Sequence, residues 1–133
     1  MIFIDANIFL AYDNFDDIHH IAAVNLWKKI ETGKFEQYFT SDYIFNEVIG
    51  VTLRKFGKER AILLGEAILK SVFIINVDKH MLTETWKIFT KTKLSLNLVD
   101  CTNLVIAKLA DAKFIATFDK EFKKIDWIKV LDN

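Results

Sequence analysis

The sequence contains no proline, one cysteine and four glycines among its 133 residues. One cysteine forms neither an internal disulfide nor a cysteine-built metal cage, which agrees with a reducing cytoplasm. Every window of 18 residues carries a charge, and no basic run precedes an apolar one, so neither a membrane-spanning helix nor a secretory leader is expected. The 18 basic and 18 acidic residues cancel, which argues against a polybasic protein that binds DNA or membranes without specificity.

Apolar residues, by contrast, are plentiful: 52% of the chain is hydrophobic and 14% is aromatic. A chain of this length and composition buries enough surface to form a single compact domain over residues 1–133, which excludes intrinsic disorder. The aromatic content exceeds what a small core needs. We therefore expect some apolar surface to be buried against another chain.

Short strand-like runs alternate with helical patterns along the chain. Strands are predicted at 1–4, 37–40, 71–77, 114–117 and 127–131, and the uncharged third run is typical of a central strand. A turn or helix start is expected after the first strand. Because strands alternate with helices, the chain is predicted to have an α/β fold with a parallel sheet covered on both faces.

Five helices are predicted between these strands. They begin near residues 18, 42, 58, 78 and 100, and glycines at 33 and 57 end the first two. The apolar stripe predicted for the third helix runs through Ile62, Gly65 and Leu69. The stripe predicted for the fourth helix carries Leu82, Trp86 and Phe89.

Three aspartates interrupt apolar stretches where a core residue is expected. Asp5 and Asp119 follow predicted strands, whose carboxyl ends meet at one edge of a parallel sheet. Asp100 is predicted to open a helix, and it faces the same edge if that helix runs back antiparallel to the strands. Glu47 borders the apolar arc of its helix and is expected to lean inward. In the alternative interpretation the aspartates are helix N-caps and Glu47 is a charge on a solvated face.

Two polar residues accompany these acids. Asn7 lies two positions after Asp5, and Thr117 lies two positions before Asp119. Either side chain can orient a carboxylate or a water, although each alone is equally typical of a turn or a strand.

The ordered set of motifs resembles the PIN domain. The set consists of FIDAN at residues 3–7, Ser41 with Glu47, VD at 99–100 and TFDKEF at 117–122. It is similar, more narrowly, to single-domain ribonuclease toxins of the VapC type. The resemblance implies a three-layer α/β/α sandwich around a short parallel sheet, with four catalytic and metal-binding acids: Asp5, Glu47, Asp100 and Asp119.

Four carboxylates in one pocket repel one another unless a cation neutralises them. A set of oxygen ligands without cysteine or histidine favours Mg²⁺ or Mn²⁺ over Zn²⁺. Such a site suits hydrolysis of phosphodiester bonds. Asp5 and Asp100 are expected to bind the metal directly, Glu47 and Asp119 directly or through water, and Asn7 and Thr117 to support them.

The resemblance implies single-stranded or looped RNA as the substrate, an antitoxin that covers the site, and a homodimer formed through apolar helices. Lysines that follow Asp119 and one arginine before Gly57 are candidates for contacts with RNA phosphates: Lys120, Lys123, Lys124 and Arg54. The alternative for these cations is an ordinary solvated face.

Two other functions remain open at this point. One is a PIN-like module that binds RNA or protein without cleaving it. The other is a receiver or phosphatase-like domain with a phosphate-accepting aspartate, which would favour an acid at position 7, where the chain has Asn7. Cys101 is interpreted as a small buried hydrophobic residue, and the three histidines match no metal-binding spacing.

Overall fold

The computed structural model describes residues 1–133, in which five strands and six α-helices form an α/β fold. The strands are β1 (Ile2–Ile4), β2 (Tyr38–Ser41), β3 (Phe73–Ile75), β4 (Phe114–Ala116) and β5 (Lys129–Leu131). The helices are α1 (Ala6–Asp13), α2 (His20–Glu31), α3 (Asp42–Phe56), α4 (Lys58–Ser71), α5 (Lys79–Lys91) and α6 (Leu98–Leu109), and a 3₁₀ turn covers Lys120–Lys124. No helix is both long and apolar enough to cross a bilayer.

The sheet is parallel throughout, with the order β3-β2-β1-β4-β5. Right-handed crossovers from β1 to β2 and from β2 to β3 place α1 to α4 on one face. The chain then returns to β4 on the other side of β1, which places α5 and α6 on the opposite face. The predicted three-layer α/β/α sandwich is therefore confirmed, and the strand order switches direction between β1 and β4.

The hydrophobic core surrounds β1. All three residues of β1 are fully buried, and Phe3 packs edge-on against Phe39 of β2, with 5.5 Å between the ring centroids. Helix α6 covers the other face and is buried continuously from Cys101 to Ala107. The buried, free Cys101 thus packs as the sequence predicts.

The third strand lies at the edge of the sheet, so its predicted central position is wrong. β3 pairs only with β2, and Phe73 is 70% exposed. An uncharged, β-branched run shows that a segment favours extended structure, but it carries no information on how many neighbours the strand has. The apolar character of β3 therefore leaves hydrophobic surface uncovered.

The stripe predicted to face inward on α4 is correct only at Gly65, and the stripe predicted on α5 is wrong. Helix α4 buries Ala61, Gly65 and Ile68, whereas Ile62 and Leu69 are exposed. Small residues face inward because α4 packs closely on α3. A Cβ atom at Gly65 would lie 2.9 Å from the Cδ1 atom of Ile49.

Helix α5 buries Thr85 and exposes the stripe predicted to face inward: Leu82, Trp86 and Phe89. The remaining boundaries agree within a few residues, except near the first helices. A complete helix, α1, follows β1, where a turn or helix start is predicted, and α2 begins at His20, two residues after the exposed Ile18.

Candidate functional site

The candidate site lies at the carboxyl edge of the sheet, where the strand order switches. Asp5 directly follows β1 and Thr117 directly follows β4, and the register Ile4↔Ala116 makes the two residues neighbours. The Oγ1 atom of Thr117 donates a hydrogen bond of 2.7 Å to the Oδ2 atom of Asp5. Strand pairing alone therefore brings together two polar residues that are far apart in the chain.

Asp5 is almost completely buried and N-caps α1, because its Oδ1 atom accepts the backbone N–H of Ala6 at 2.8 Å. Burial raises its pKa from 3.8 to about 6. The hydrogen bonds from Thr117 and Ala6 oppose this rise, and the charges of Asp100 and Glu47 add to it.

Asn7 and Thr117 form a small network around Asp5. The Nδ2 atom of Asn7 donates to Asp5 Oδ2 at 3.2 Å and to Thr117 Oγ1 at 3.1 Å. The backbone N–H of Phe118 donates to Asn7 Oδ1, and that of Asp119 donates to Thr117 Oγ1, both at 3.1 Å. Each predicted supporting residue therefore contacts Asp5 and also fixes the chain that leads to Asp119.

Asp100 lies in the first turn of α6 and not before it. Asn97 is the N-cap, and the two residues form a capping box, with Asp100 Oδ2 accepting the backbone N–H of Asn97 at 2.9 Å. Partial burial raises the pKa of Asp100, the Asn97 bond lowers it, and the charge of Asp119 raises it again. The Oδ1 atom of Asp100 accepts no hydrogen bond from the protein.

Glu47 and Asp119 complete the set. Glu47 is exposed on α3, so the prediction that its side chain leans toward the core is wrong. Its pKa is nevertheless raised, first by lost hydration and then by the charge of Asp100. Asp119 is half-buried and N-caps the 3₁₀ turn through Oδ1, which accepts the backbone N–H of Glu121 at 2.9 Å. Asp5 and Asp119 thus cap helices, and Asp100 lies in the first turn of one. The charge of Asp100 raises the pKa of Asp5, and the charge of Asp119 raises that of Asp100.

Sequence analysis missed one residue of this cluster, Asn103. It is fully buried on α6, one turn after Asp100, and its Nδ2 atom lies 3.4 Å from Asp5 Oδ1. Its Oδ1 atom has no hydrogen-bond partner. The sequence does contain a feature that points to Asn103, because it is an amide within an apolar stretch, three positions after Asp100. Residues at i and i+3 share a helix face, so Asn103 is expected to lie near that acid.

The predicted phosphate-binding cations divide into two groups. Lys123 pairs with Asp132 and Lys124 with Glu121, at 2.6 and 2.8 Å. Lys120 and Arg54 are exposed and form no ion pair. Lys120 and Arg54 are therefore free to contact an anionic ligand, whereas Lys123 and Lys124 already pair with carboxylates.

The donor set fits a hard divalent cation. All four acids are oxygen donors, and the pKa values of Asp5, Glu47 and Asp100 are raised both by burial and by neighbouring carboxylates. Yet no three His, Cys, Asp or Glu side chains are placed so that they hold a metal alone. A hard divalent cation that binds through one or two carboxylates, waters and substrate phosphates does not require an all-protein cage.

The model of the PIN domain family matches residues 2–128. No curated protein sequence matches the chain significantly. Among solved structures, the fold is similar to VapC20 of Mycobacterium tuberculosis, a sarcin-ricin-loop-cleaving toxin, with 21% identity, a TM-score of 0.85, and coverage of 98% of this chain and 99% of that one.

Two further solved structures share the fold. VapBC2 from Rickettsia felis, bound to a promoter DNA fragment, has 17% identity and a TM-score of 0.75, with 98% and 97% of the two chains covered. FitAcB from Neisseria gonorrhoeae has 18% identity and a TM-score of 0.73, with 98% and 96% covered. The expected resemblance to VapC-type proteins is therefore confirmed in the fold.

Proposed function

Because the chain belongs to the PIN domain family, we propose that it is a metal-dependent endoribonuclease and the toxin of a toxin–antitoxin pair. In this proposal residues 1–133 form one nuclease domain that hydrolyses RNA phosphodiester bonds in the cytoplasm. The observation that carries the proposal is the cluster at the switch point. At this edge, where parallel α/β sheets bind ligands, burial raises the pKa values of Asp5, Glu47 and Asp100. The charge of Asp100 raises those of Asp5 and Glu47 further, and the charge of Asp119 raises that of Asp100.

The four acids have different tasks in this proposal. Asp5 and Asp100 hold Mg²⁺ or Mn²⁺ directly, and Glu47 and Asp119 complete the site directly or through water. Bound metal lowers the pKa of the attacking water and offsets charge on the phosphate. Thr117 and Asn7 keep Asp5 in place, since both donate to its Oδ2 atom.

RNA as the substrate is supported by the similar fold of VapC20, which cleaves an RNA loop. Lys120, beside Asp119, and Arg54, near the end of α3, are exposed cations without ion-pair partners and are assigned to phosphate contacts. Lys123 and Lys124 take part only if RNA displaces their carboxylate partners.

An antitoxin and a second copy of the chain are the proposed protein partners. Two apolar surfaces support them. One is a groove between α3 and α4, lined by Phe45, Ile49, Leu53, Ile62 and Leu69, and the other is the outer face of α5, with Leu82, Trp86 and Phe89. Complexes such as VapBC2 are assemblies of this kind in other proteins with this fold.

A non-catalytic RNA- or protein-binding module is the second candidate. It is favoured by the placement of the acids, since no three potential ligands are close enough to hold a metal alone. Such a module keeps the fold and binds RNA or protein, but it does not hydrolyse RNA.

The test is cleavage of a stem-loop RNA and of total RNA by the purified protein with Mg²⁺ or Mn²⁺. We expect cleavage that EDTA abolishes and that Asp100→Asn lowers about 10³-fold, a loss of several kcal/mol of transition-state stabilisation. Asn at position 100 still accepts the Asn97 N–H, so helix α6 keeps its cap. RNA binding without cleavage supports the module, and EDTA-resistant cleavage contradicts the metal site.

A further inference from the structure

A small pocket of about 140 Å³ opens beside the acidic site. Its wall includes Asn7, which contacts Asp5 at 3.2 Å, and Phe118, whose backbone N–H donates to Asn7 Oδ1. Pockets for drug-sized ligands begin near ~300 Å³, so this one has room for a single ring system. Whatever occupies it lies next to the carboxylates.

A flat aromatic pair forms one side of the pocket. The rings of His19 and Phe118 stack with 4.3 Å between their centroids and 10° between their planes. His19 is exposed, and its ring makes no hydrogen bond with the protein. Phe118 is partly buried against the core, whereas the stacked His19 ring stays open to solvent and offers a planar surface to another ring.

Polar groups surround this platform. Lys55 is exposed and forms no ion pair. Asn14 accepts the backbone N–H of Asp16 through Oδ1, and Asp17 accepts that of His19 through Oδ1. The Nδ2 atom of Asn14 and the Oδ2 atom of Asp17 therefore remain free, one as a donor and the other as an acceptor.

We propose that this pocket binds one unstacked base of single-stranded RNA, adjacent to the phosphate that is cleaved. The base stacks on the platform formed by His19 and Phe118, its polar edge meets Asn14 and Asp17, and Lys55 contacts the backbone. Aromatic and histidine rings are the usual partners of splayed RNA bases, and lysine is a usual partner of phosphates. This inference rests on the proposed ribonuclease function and assigns its base-binding subsite.

The first test measures binding without cleavage. A single-stranded RNA containing 2-aminopurine is titrated into the Asp100→Asn protein, and stacking is read from quenching of its fluorescence. We expect quenching, and a Kd about tenfold higher when His19→Ala is added, which is the loss of one base–aromatic stack. Lys55→Ala weakens binding and reduces its salt dependence.

Matched controls come from the same region of the chain. His20→Ala removes a second histidine–aromatic pair, with Phe15 at 5.0 Å, that lines a different pocket. Lys58→Ala removes an exposed, unpaired lysine outside the pocket. Neither change alters quenching or Kd if the subsite is correctly assigned, and equal losses in the controls overturn it.

The second test measures cleavage by proteins with intact acids. His19→Ala is expected to raise KM about tenfold, to leave kcat unchanged and to broaden the base preference beside the cut. Cleavage by wild type with an unchanged KM and preference in His19→Ala overturns the subsite and leaves the nuclease standing. If wild type cleaves no RNA, the ribonuclease proposal fails, and the fluorescence titration still decides whether the pocket holds a base.

Discussion

The acidic site has an inner side and an outer side that are built differently. On the inner side, Asp5 is buried, and both its oxygens accept hydrogen bonds from the protein. On the outer side, Glu47, Asp100 and Asp119 are exposed or half-buried, and each retains an oxygen without a hydrogen bond. The difference indicates that the inner acid is fixed before any ligand arrives, whereas the outer acids are free to adjust to it.

The largest expected effect of this contrast is on pH-dependent stability. Because the pKa of Asp5 rises from 3.8 to about 6 on folding, the folded state binds its proton more tightly than the unfolded state. The free energy of unfolding therefore falls as pH rises from about 3 to about 7, by roughly 3 kcal/mol at about 1.4 kcal/mol per pKa unit. Urea denaturation in EDTA at several pH values measures this fall.

The Asp5→Asn variant tests whether Asp5 causes this dependence of the free energy of unfolding on pH. Its stability is expected to vary less with pH than that of wild type over the same interval, because the group that titrates is gone. Saturating Mn²⁺ is expected to reduce the fall in wild type by binding the ionised, folded form. Identical slopes in wild type and Asp5→Asn contradict the assignment of a raised pKa to the buried acid of the inner side.

Removing one hydroxyl of the inner side is expected to have the next largest effect. Thr117→Val keeps the shape of the side chain but deletes an Oγ1 that donates to Asp5 and accepts from Asn7 and from the backbone of Asp119. We expect a loss of about 2 kcal/mol in the free energy of unfolding and a 10- to 100-fold loss of RNA cleavage.

A second buried threonine provides the control for this substitution. The Oγ1 atom of Thr85 on α5 is buried and has no partner, so Thr85→Val is expected to be neutral or stabilising. Equal destabilisation by the two substitutions would mean that the network around Asp5 adds nothing beyond packing.

Asn103→Leu tests a buried residue that lies beside Asp5, at the boundary of the inner side. The change removes a long 3.4 Å bond to Asp5 and also removes a buried oxygen that has no partner. Since these effects oppose each other, we expect the free energy of unfolding to change by less than about 1 kcal/mol. Asn103→Asp instead places a second acid beside Asp5 and is expected to destabilise the protein at pH 7 more than at pH 4, as measured by the same urea titration.

The smallest effect on folding is expected on the outer side. Glu47→Gln changes an exposed residue and is expected to alter the free energy of unfolding by less than about 0.5 kcal/mol. Its affinity for Mn²⁺, measured by calorimetry, is expected to fall about tenfold. Glu59→Gln, an exposed and unpaired acid on α4, should change neither quantity. A large loss of stability in Glu47→Gln would erase the distinction between the two sides.

The sequence predicted the elements of the fold better than their surroundings. Strand and helix segments follow from local periodicity, so β1 and the start of α5 near residue 78 lie where the pattern predicts them. Whether an apolar face meets the core of its own chain is not a local property. For this reason local patterns predict an inward position for the stripe of α5, which is exposed, and a central position for β3, which lies at the edge of the sheet.

At the candidate site, strand topology predicts which residues lie near one another, but it does not predict their burial or hydrogen bonds. The parallel sheet explains why Asp5 and Thr117 meet, and this was foreseeable from topology. The burial of Asp5, the exposure of Glu47 and the unpaired oxygen of Asn103 depend on how α3 and α6 pack across the sheet. Capping leaves one oxygen without a hydrogen bond in Asp119, whereas both oxygens of Asp5 accept hydrogen bonds.

The bond between Thr117 and Asp5 spans 112 positions of the chain. During translation, the ribosome releases the first strand long before the residues that hold its terminal carboxylate have been polymerised. A nascent or prematurely terminated polypeptide therefore lacks an assembled centre. Under the proposed toxin function, the cell that synthesises the protein is exposed to an active molecule only after nearly all of it has been made.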